Sequence, residues 1–100
     1  MKNVLLSADG QLSVYSVPDT VADNLEDYCI EFCGKWLQTC PDALKYRING
    51  ILCYNEDDFV EYLNLWVFPD TPSRLIETLD DVWDISDVPN EYKECEWFNF

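Results

Sequence analysis

The chain reads as a single α+β domain spanning residues 1–100, a small antiparallel sheet with two main helices packed on one face. Three observations predict this. Two β-like runs flank Asp9-Gly10, a long helical period runs from Asp19 to Cys40, and a second helical period follows Asn55. The sheet is expected to comprise the N-terminal hairpin and one later strand, in the order ββ–α–α–β. Nearly half of the 100 residues are hydrophobic and 15% are aromatic, enough for a real core. A domain of this size buries only about 60–65% of the surface of its unfolded chain, so some of those aromatics sit at its edge. Edge aromatics are candidates for a partner surface.

The first strands are Asn3 to Ser7 and Gln11 to Val17. Asp-Gly between them is a hairpin signal, because both central residues of a type I′ turn need positive φ. Pro18 closes the hairpin, and Asp19 or Thr20 is placed to cap the following helix, with Asp23 completing a short capping box. At 100° per residue, Val21, Ala22, Leu25, Tyr28, Cys29, Phe32, Trp36 and Cys40 gather on one face. Asp23, Asp27 and Glu31 fall on the opposite side. Gly34 lies within this helix, and Pro41 stops it by Thr39 or Cys40.

Pro41 to Tyr46 is compatible with one helical turn, and Asn49-Gly50 is a second turn signal. Ile51 to Tyr54 reads as loop or a brief strand. Asn55 caps the second helix, with Glu56, Asp57 and Asp58 in its first turn, where the helix dipole favours acids. Phe59, Val60, Tyr62, Leu63, Trp66 and Val67 form its apolar face, and it ends near Phe68, before Pro69. Arg74 to Leu79 suits strand or helix equally by pattern. Strand is chosen because a lone hairpin is unstable and a third strand stabilises it. Asp80 to Asn90 is acidic and irregular. The tail from Tyr92 to Phe100 is too apolar to stand free and is expected to dock on the body or on another chain.

Charge is the strongest compositional signal: twenty acids against six bases give a net charge of −14. Such a chain is repelled by nucleic acid and by anionic membranes and attracted to basic protein surfaces. Solubility alone accounts for many such charges. Histidine is absent, which removes the commonest general base and metal ligand. There is no Gly-rich phosphate loop and no serine elbow. An enzyme is therefore not expected, and no cofactor is implied. The apolar run Val4-Leu5-Leu6 is too short for a signal segment or a membrane span, so a cytoplasmic setting with reduced thiols is expected.

Three constellations remain. Cys29 and Cys33, at i, i+4, are weak candidates for a metal or thiol site. No second close pair exists, and free cysteine commonly behaves as a small buried hydrophobe. Asp23, Asp27 and Glu31 rise about 6 Å apiece along the helix axis, on the scale of phosphate spacing along one DNA strand. With the acids at 56–58, 61 and 80–87 they suggest a surface that imitates nucleic acid, or simply a solvated face. Trp83, Tyr92, Trp97, Phe98 and Phe100 form either a lid that seals the core or a hydrophobic patch for a partner, homodimerisation included.

The opening Val4-Leu5-Leu6-Ser7-Ala8-Asp9-Gly10, the segment Val14-Tyr15-Ser16-Val17-Pro18 and the closing Trp97-Phe98-Asn99-Phe100 resemble a family of small uncharacterised acidic proteins from anaerobic gut Firmicutes, often carried on mobile elements. The resemblance implies a bacterial cytosolic setting. It brings no activity and no catalytic residues. The sequence thus leads to a non-enzymatic module that recognises an unknown protein, with a basic surface, through Asp23, Asp27, Glu31, Trp97, Phe98 and Phe100. The alternatives are a nucleic-acid-mimicking inhibitor and a thiol or metal-binding protein.

Overall fold

The computed structural model describes residues 1–100, and it is an α+β fold built on one open four-stranded sheet. Strand β1 (Lys2–Ser7) pairs antiparallel with β2 (Ser13–Val17), in a register that sets Lys2 opposite Val17 and Leu6 opposite Ser13. The turn differs from the expected two-residue type I′. The register leaves a loop from Ala8 to Leu12, in which Asp9 takes a positive φ of 56° and Gly10 does not. Asn99 holds the loop instead: its Oδ1 accepts from the Asp9 N–H at 2.8 Å and from the Ser7 hydroxyl at 2.9 Å.

The central helical stretch is segmented. It runs as α1 (Asp19–Asp23), α2 (Leu25–Glu31), a π-helical turn over Phe32–Trp36, and α3 (Leu37–Thr39). No side chain caps α1; Pro18 holds the cap position, so the expected Asp19 or Thr20 cap does not form. Asp19 pairs instead with the N-terminal ammonium at 2.9 Å. Asn24, at φ −134°, separates α1 from α2. Val21, Ala22, Leu25, Cys29 and Phe32 are buried as the periodicity predicts. Beyond Phe32 the π turn inserts one residue and rotates the buried stripe. Leu37 is then buried, while Trp36 is only half-buried. Gly34 lies within that turn, where an added Cβ would meet nothing closer than an Ile30 methyl at 3.8 Å. Close packing therefore does not require glycine there.

A 3₁₀ segment over Pro41–Tyr46 leads into a two-stranded ribbon, β3 (Arg47–Ile48) and β4 (Ile51–Leu52). Its turn is Asn49-Gly50, with φ of 53° and 82°, so here the paired positive φ of a type I′ turn is realised. Helix α4 (Glu56–Tyr62) begins with the expected Asn55 cap in a reciprocal capping box with Asp58. A second π turn, Leu63–Val67, carries the helix to its end. As after Phe32, the insertion turns the stripe: Leu63 is buried and Trp66 is about half exposed, against the expectation that Trp66 faces the core.

Strand β5 (Arg74–Thr78) pairs antiparallel with β2, with a bulge between Val14 and Tyr15. The apolar tail docks on the body as a further strand of the sheet. β6 (Trp97–Asn99) pairs parallel to β1, giving the order β5-β2-β1-β6 and making the sheet mixed rather than purely antiparallel.

The helices pack on one face of this sheet, as expected, and the opposite face is covered too. Val4, Leu6, Tyr15 and Val17 point into a core shared with the helices. Leu5 and Val14 point the other way, into a smaller core with Leu12, Leu79, Val88 and Tyr92. The irregular acidic segment after β5 is therefore a cover. This explains why β2 is buried at all five positions instead of alternating with solvent.

Candidate functional site

The two grooves of the molecule both border the free edge of β6. Pairing sets Trp97 beside Leu5 and Phe98 beside Leu6. Neighbouring strand residues point to opposite faces, so Trp97 lies on the loop-covered side and Phe98 on the helical side. Trp97 is about half exposed. Phe98 and Phe100 are only partly exposed. Phe100 packs against Phe59, Phe32 and Tyr54, with ring centroids 5.4, 6.0 and 6.1 Å away. Phe98 packs on Phe100 at 4.9 Å. Of the three tail aromatics, one is presented and two seal the core.

A groove lies on each side of this edge. On the loop-covered side, an open groove of about 400 Å³ is lined by Ser7, Asp9, Leu12, Trp83, Asp84, Ile85, Trp97 and Asn99. Trp83 is 62% exposed and stands on the cover. On the helical side, a groove of about 350 Å³ is lined by Leu25, Glu26, Glu96, Trp97, Phe98 and Asn99. Each groove thus carries two carboxylates, and Trp97 forms a wall of both.

None of those four carboxylates is paired with a cation; the ion pairs engage Asp19, Asp23, Glu31 and Glu61. Two are fixed by neutral donors instead. Asp84 accepts from the Ser86 N–H at 2.9 Å and the Ser86 hydroxyl at 3.1 Å, and these bonds hold its carboxyl below the usual carboxylate range. Asp9 accepts from the Asn99 amide at 3.0 Å. A carboxylate held by N–H and O–H dipoles keeps its full charge and has a set direction. Exposed indole faces and oriented carboxylates together attract a cation, through the ring quadrupole and through Coulomb attraction.

The other predicted residues are distributed differently. Asp23, Asp27 and Glu31 are all exposed, but Lys2 bridges Asp23 at 2.7 Å and Lys35 approaches Glu31 at 3.7 Å. The helix break at Asn24 also divides the row. Cys29 is fully buried in the helical core, and burial, with a smaller effect from Cys33, pushes its thiol well up, away from the reactive thiolate. All five cysteines are free thiols, and no group of three or more cysteines and acids is arranged to hold a metal ion. Tyr92 belongs to the smaller core, with its hydroxyl donating to Glu77 at 2.6 Å. Asp9, Glu26 and Glu96 were not candidates from the sequence. Asp9 reads there as part of a turn, and no local pattern unites residues 9, 26, 84 and 96.

No helix is long and apolar enough to cross a membrane. Neither protein-family models, nor curated proteins, nor solved structures provide a match to this chain.

Proposed function

We propose that this protein is a non-enzymatic interaction module that binds a basic protein partner at the edge of β6. The observation that carries this reading is the pair of grooves there, which join exposed Trp83 and Trp97 to four carboxylates that no lysine or arginine of the chain neutralises. Such an arrangement has the composition of a recognition patch: aromatic anchors surrounded by charge of one sign. The segment Asp80–Glu96 holds seven acids, Asp84 and Glu96 among them, to a single lysine, Lys93, so the field over this side draws a basic partner in.

The test is affinity capture from host lysate at physiological salt with three forms of the protein. The reading expects a basic partner to be retained by the unmodified chain and by Asp23→Asn/Asp27→Asn/Glu31→Gln, and lost by Trp83→Ala/Trp97→Ala. A partner lost only with the triple change would move the site to the helix row and support mimicry of nucleic acid. No partner with any form would end the interaction reading.

A further inference from the structure

The way in which the partner binds follows from the strand itself. β6 has β1 on one side and nothing on the other. The Glu96 carbonyl accepts from Leu5 N–H at 2.9 Å, and the Phe100 N–H donates to the Ser7 carbonyl at 2.8 Å, so these groups face β1. In a parallel ladder the backbone groups of alternate residues face alternate sides. The N–H and C=O of Trp97 and of Asn99 therefore point outward, away from the sheet. Proteins usually blunt such an edge by keeping it short or with charged residues, proline or a bulge. β6 is short, but Trp97, Phe98 and Asn99 bring no charge and no proline, and no bulge interrupts its register with β1. The other edge, β5, is bulged and carries the charged residues Arg74 and Glu77.

Building on the reading of β6 as a partner surface, we infer that the occupant is an extended basic segment that adds as a fifth strand to β6. Its neighbouring arginine or lysine side chains enter the two grooves, one against Trp83, Trp97, Asp9 and Asp84 and the other against Glu26 and Glu96. Consecutive side chains of an added strand point to opposite faces, which is where the two acidic grooves lie. Charge complementarity selects the occupant. A second copy of this chain, at −14 with six basic residues, is repelled from a site already lined by acids.

The test uses a capped hexapeptide of valine and arginine with two neighbouring arginines at its centre. It is titrated into ¹⁵N-labelled protein with tryptophan fluorescence as a second readout. Expected are amide shifts concentrated at Trp97 and Asn99 and binding weakened about tenfold by Trp83→Ala, the loss of one cation–π contact. Backbone N-methylation of the peptide should abolish binding, and so should separating the arginines so that both point to one face. Trp83 is exposed, so its removal leaves the fold intact, and the peptide comparisons need no variant at all. Equal binding of the N-methylated peptide, shifts centred on Asp23–Glu31, or the same shifts arising without peptide as protein concentration rises would each overturn the strand-addition proposal. If the peptide fails while Trp83→Ala/Trp97→Ala still loses the captured partner, the mode of binding is wrong and the site stands.

Discussion

The two faces of the sheet are covered by different means, and the difference separates what holds this protein together from what it presents. On the helical face, a core of sixteen buried residues is centred on Phe32, whose ring meets Trp36, Tyr54, Phe59, Tyr62 and Phe100 within 6.0 Å. On the other face, six buried residues lie under an irregular chain. That chain is tied down by scattered bonds, among them Leu12 N–H to the Val82 carbonyl at 2.9 Å and Leu79 N–H to the Leu12 carbonyl at 2.8 Å. Local opening is easiest where buried apolar contacts are few and backbone bonds lie near solvent. The cover is also where Trp83 and Asp84 stand. The helical side thus carries the larger core, and the loop-covered side carries a smaller core under exposed, irregular chain.

Truncating one large side chain in each core breaks the comparison most directly. Phe32→Ala should cost about 3–5 kcal/mol, because a large ring leaves a cavity that rigid neighbours cannot fill. Leu79→Ala should cost about 2 kcal/mol, since the irregular cover can settle into the space. Denaturant unfolding gives both values. Hydrogen exchange should accelerate throughout the chain in the first variant, and chiefly at Leu12, Val82 and Tyr92 in the second. Equal costs with equally global exchange would show that the two faces form one cooperative unit.

Each face also has a tyrosine–carboxylate clamp, and alkali tests the pair. The Tyr15 hydroxyl donates to Asp57 and ties the sheet to α4; the Tyr92 hydroxyl donates to Glu77 and ties the cover to β5. Burial first, then the bond to Asp57, raises the Tyr15 pKa beyond the ordinary tyrosine range. Tyr92 is pushed up to about 12, chiefly by its bond to Glu77. The unfolded chain releases these protons near pH 10 and the folded chain holds them. Between those limits the native state binds more protons, so stability is full below about pH 10 and falls as pH rises above it. Absorbance at 295 nm should show Tyr92 ionising near pH 12, with Tyr15 ionising only as the fold is lost. Tyr15→Phe should cost about 1–2 kcal/mol, as expected for a partly buried bond to a charged acceptor that is itself exposed. Tyr92→Phe should loosen the cover alone.

How far sequence reveals each face follows from the same contrast. The helical face is written in local patterns. Asn55 with Asp58 is a capping box, Asn49-Gly50 is a type I′ turn, and the stripe from Val21 to Phe32 has a helical period. Periodicity fails first at the π turns, because one inserted residue rotates the next turn: Leu37 is buried beyond Phe32, and Trp66 swings outward beyond Leu63. The loop-covered face has no period to read. Leu79, Val88 and Tyr92 are scattered among acids, and their burial depends on a fold-back over β1 and β2 that no local propensity specifies. β6 is hidden for the same reason, since three residues acquire strand identity only from a parallel partner about 90 positions away. Of the candidate site, Trp97 and Trp83 were legible as aromatics in excess of the core's capacity. Glu26, Asp9 and Glu96 were not, because only the tertiary fold brings them to one edge.

The smallest effects come from the two glycine turns, one on each side. Gly50 closes the β3–β4 ribbon at φ 82°, a conformation that costs any L side chain energy, although no atom lies within 4 Å of an added Cβ. Gly50→Ala should therefore destabilise by about 1 kcal/mol through backbone strain alone. Gly10 sits in the loop beside the Trp83–Trp97 groove, outside the left-handed region, and an added Cβ would meet only the Ala8 carbonyl at 3.9 Å. Gly10→Ala should then be neutral or stabilising by up to about 1 kcal/mol, because it narrows the unfolded ensemble without straining the native loop. The Asp-Gly pair reads in sequence as a hairpin signal, yet only Asp9 takes a positive φ, at 56°, and Asn99 braces the backbone there. Removing that brace with Asn99→Ala should make the loop, and with it the carboxylate of Asp9, more mobile in exchange measurements than Gly10→Ala does. The opposite order would mean that glycine, and not the C-terminal strand, fixes the groove's rim.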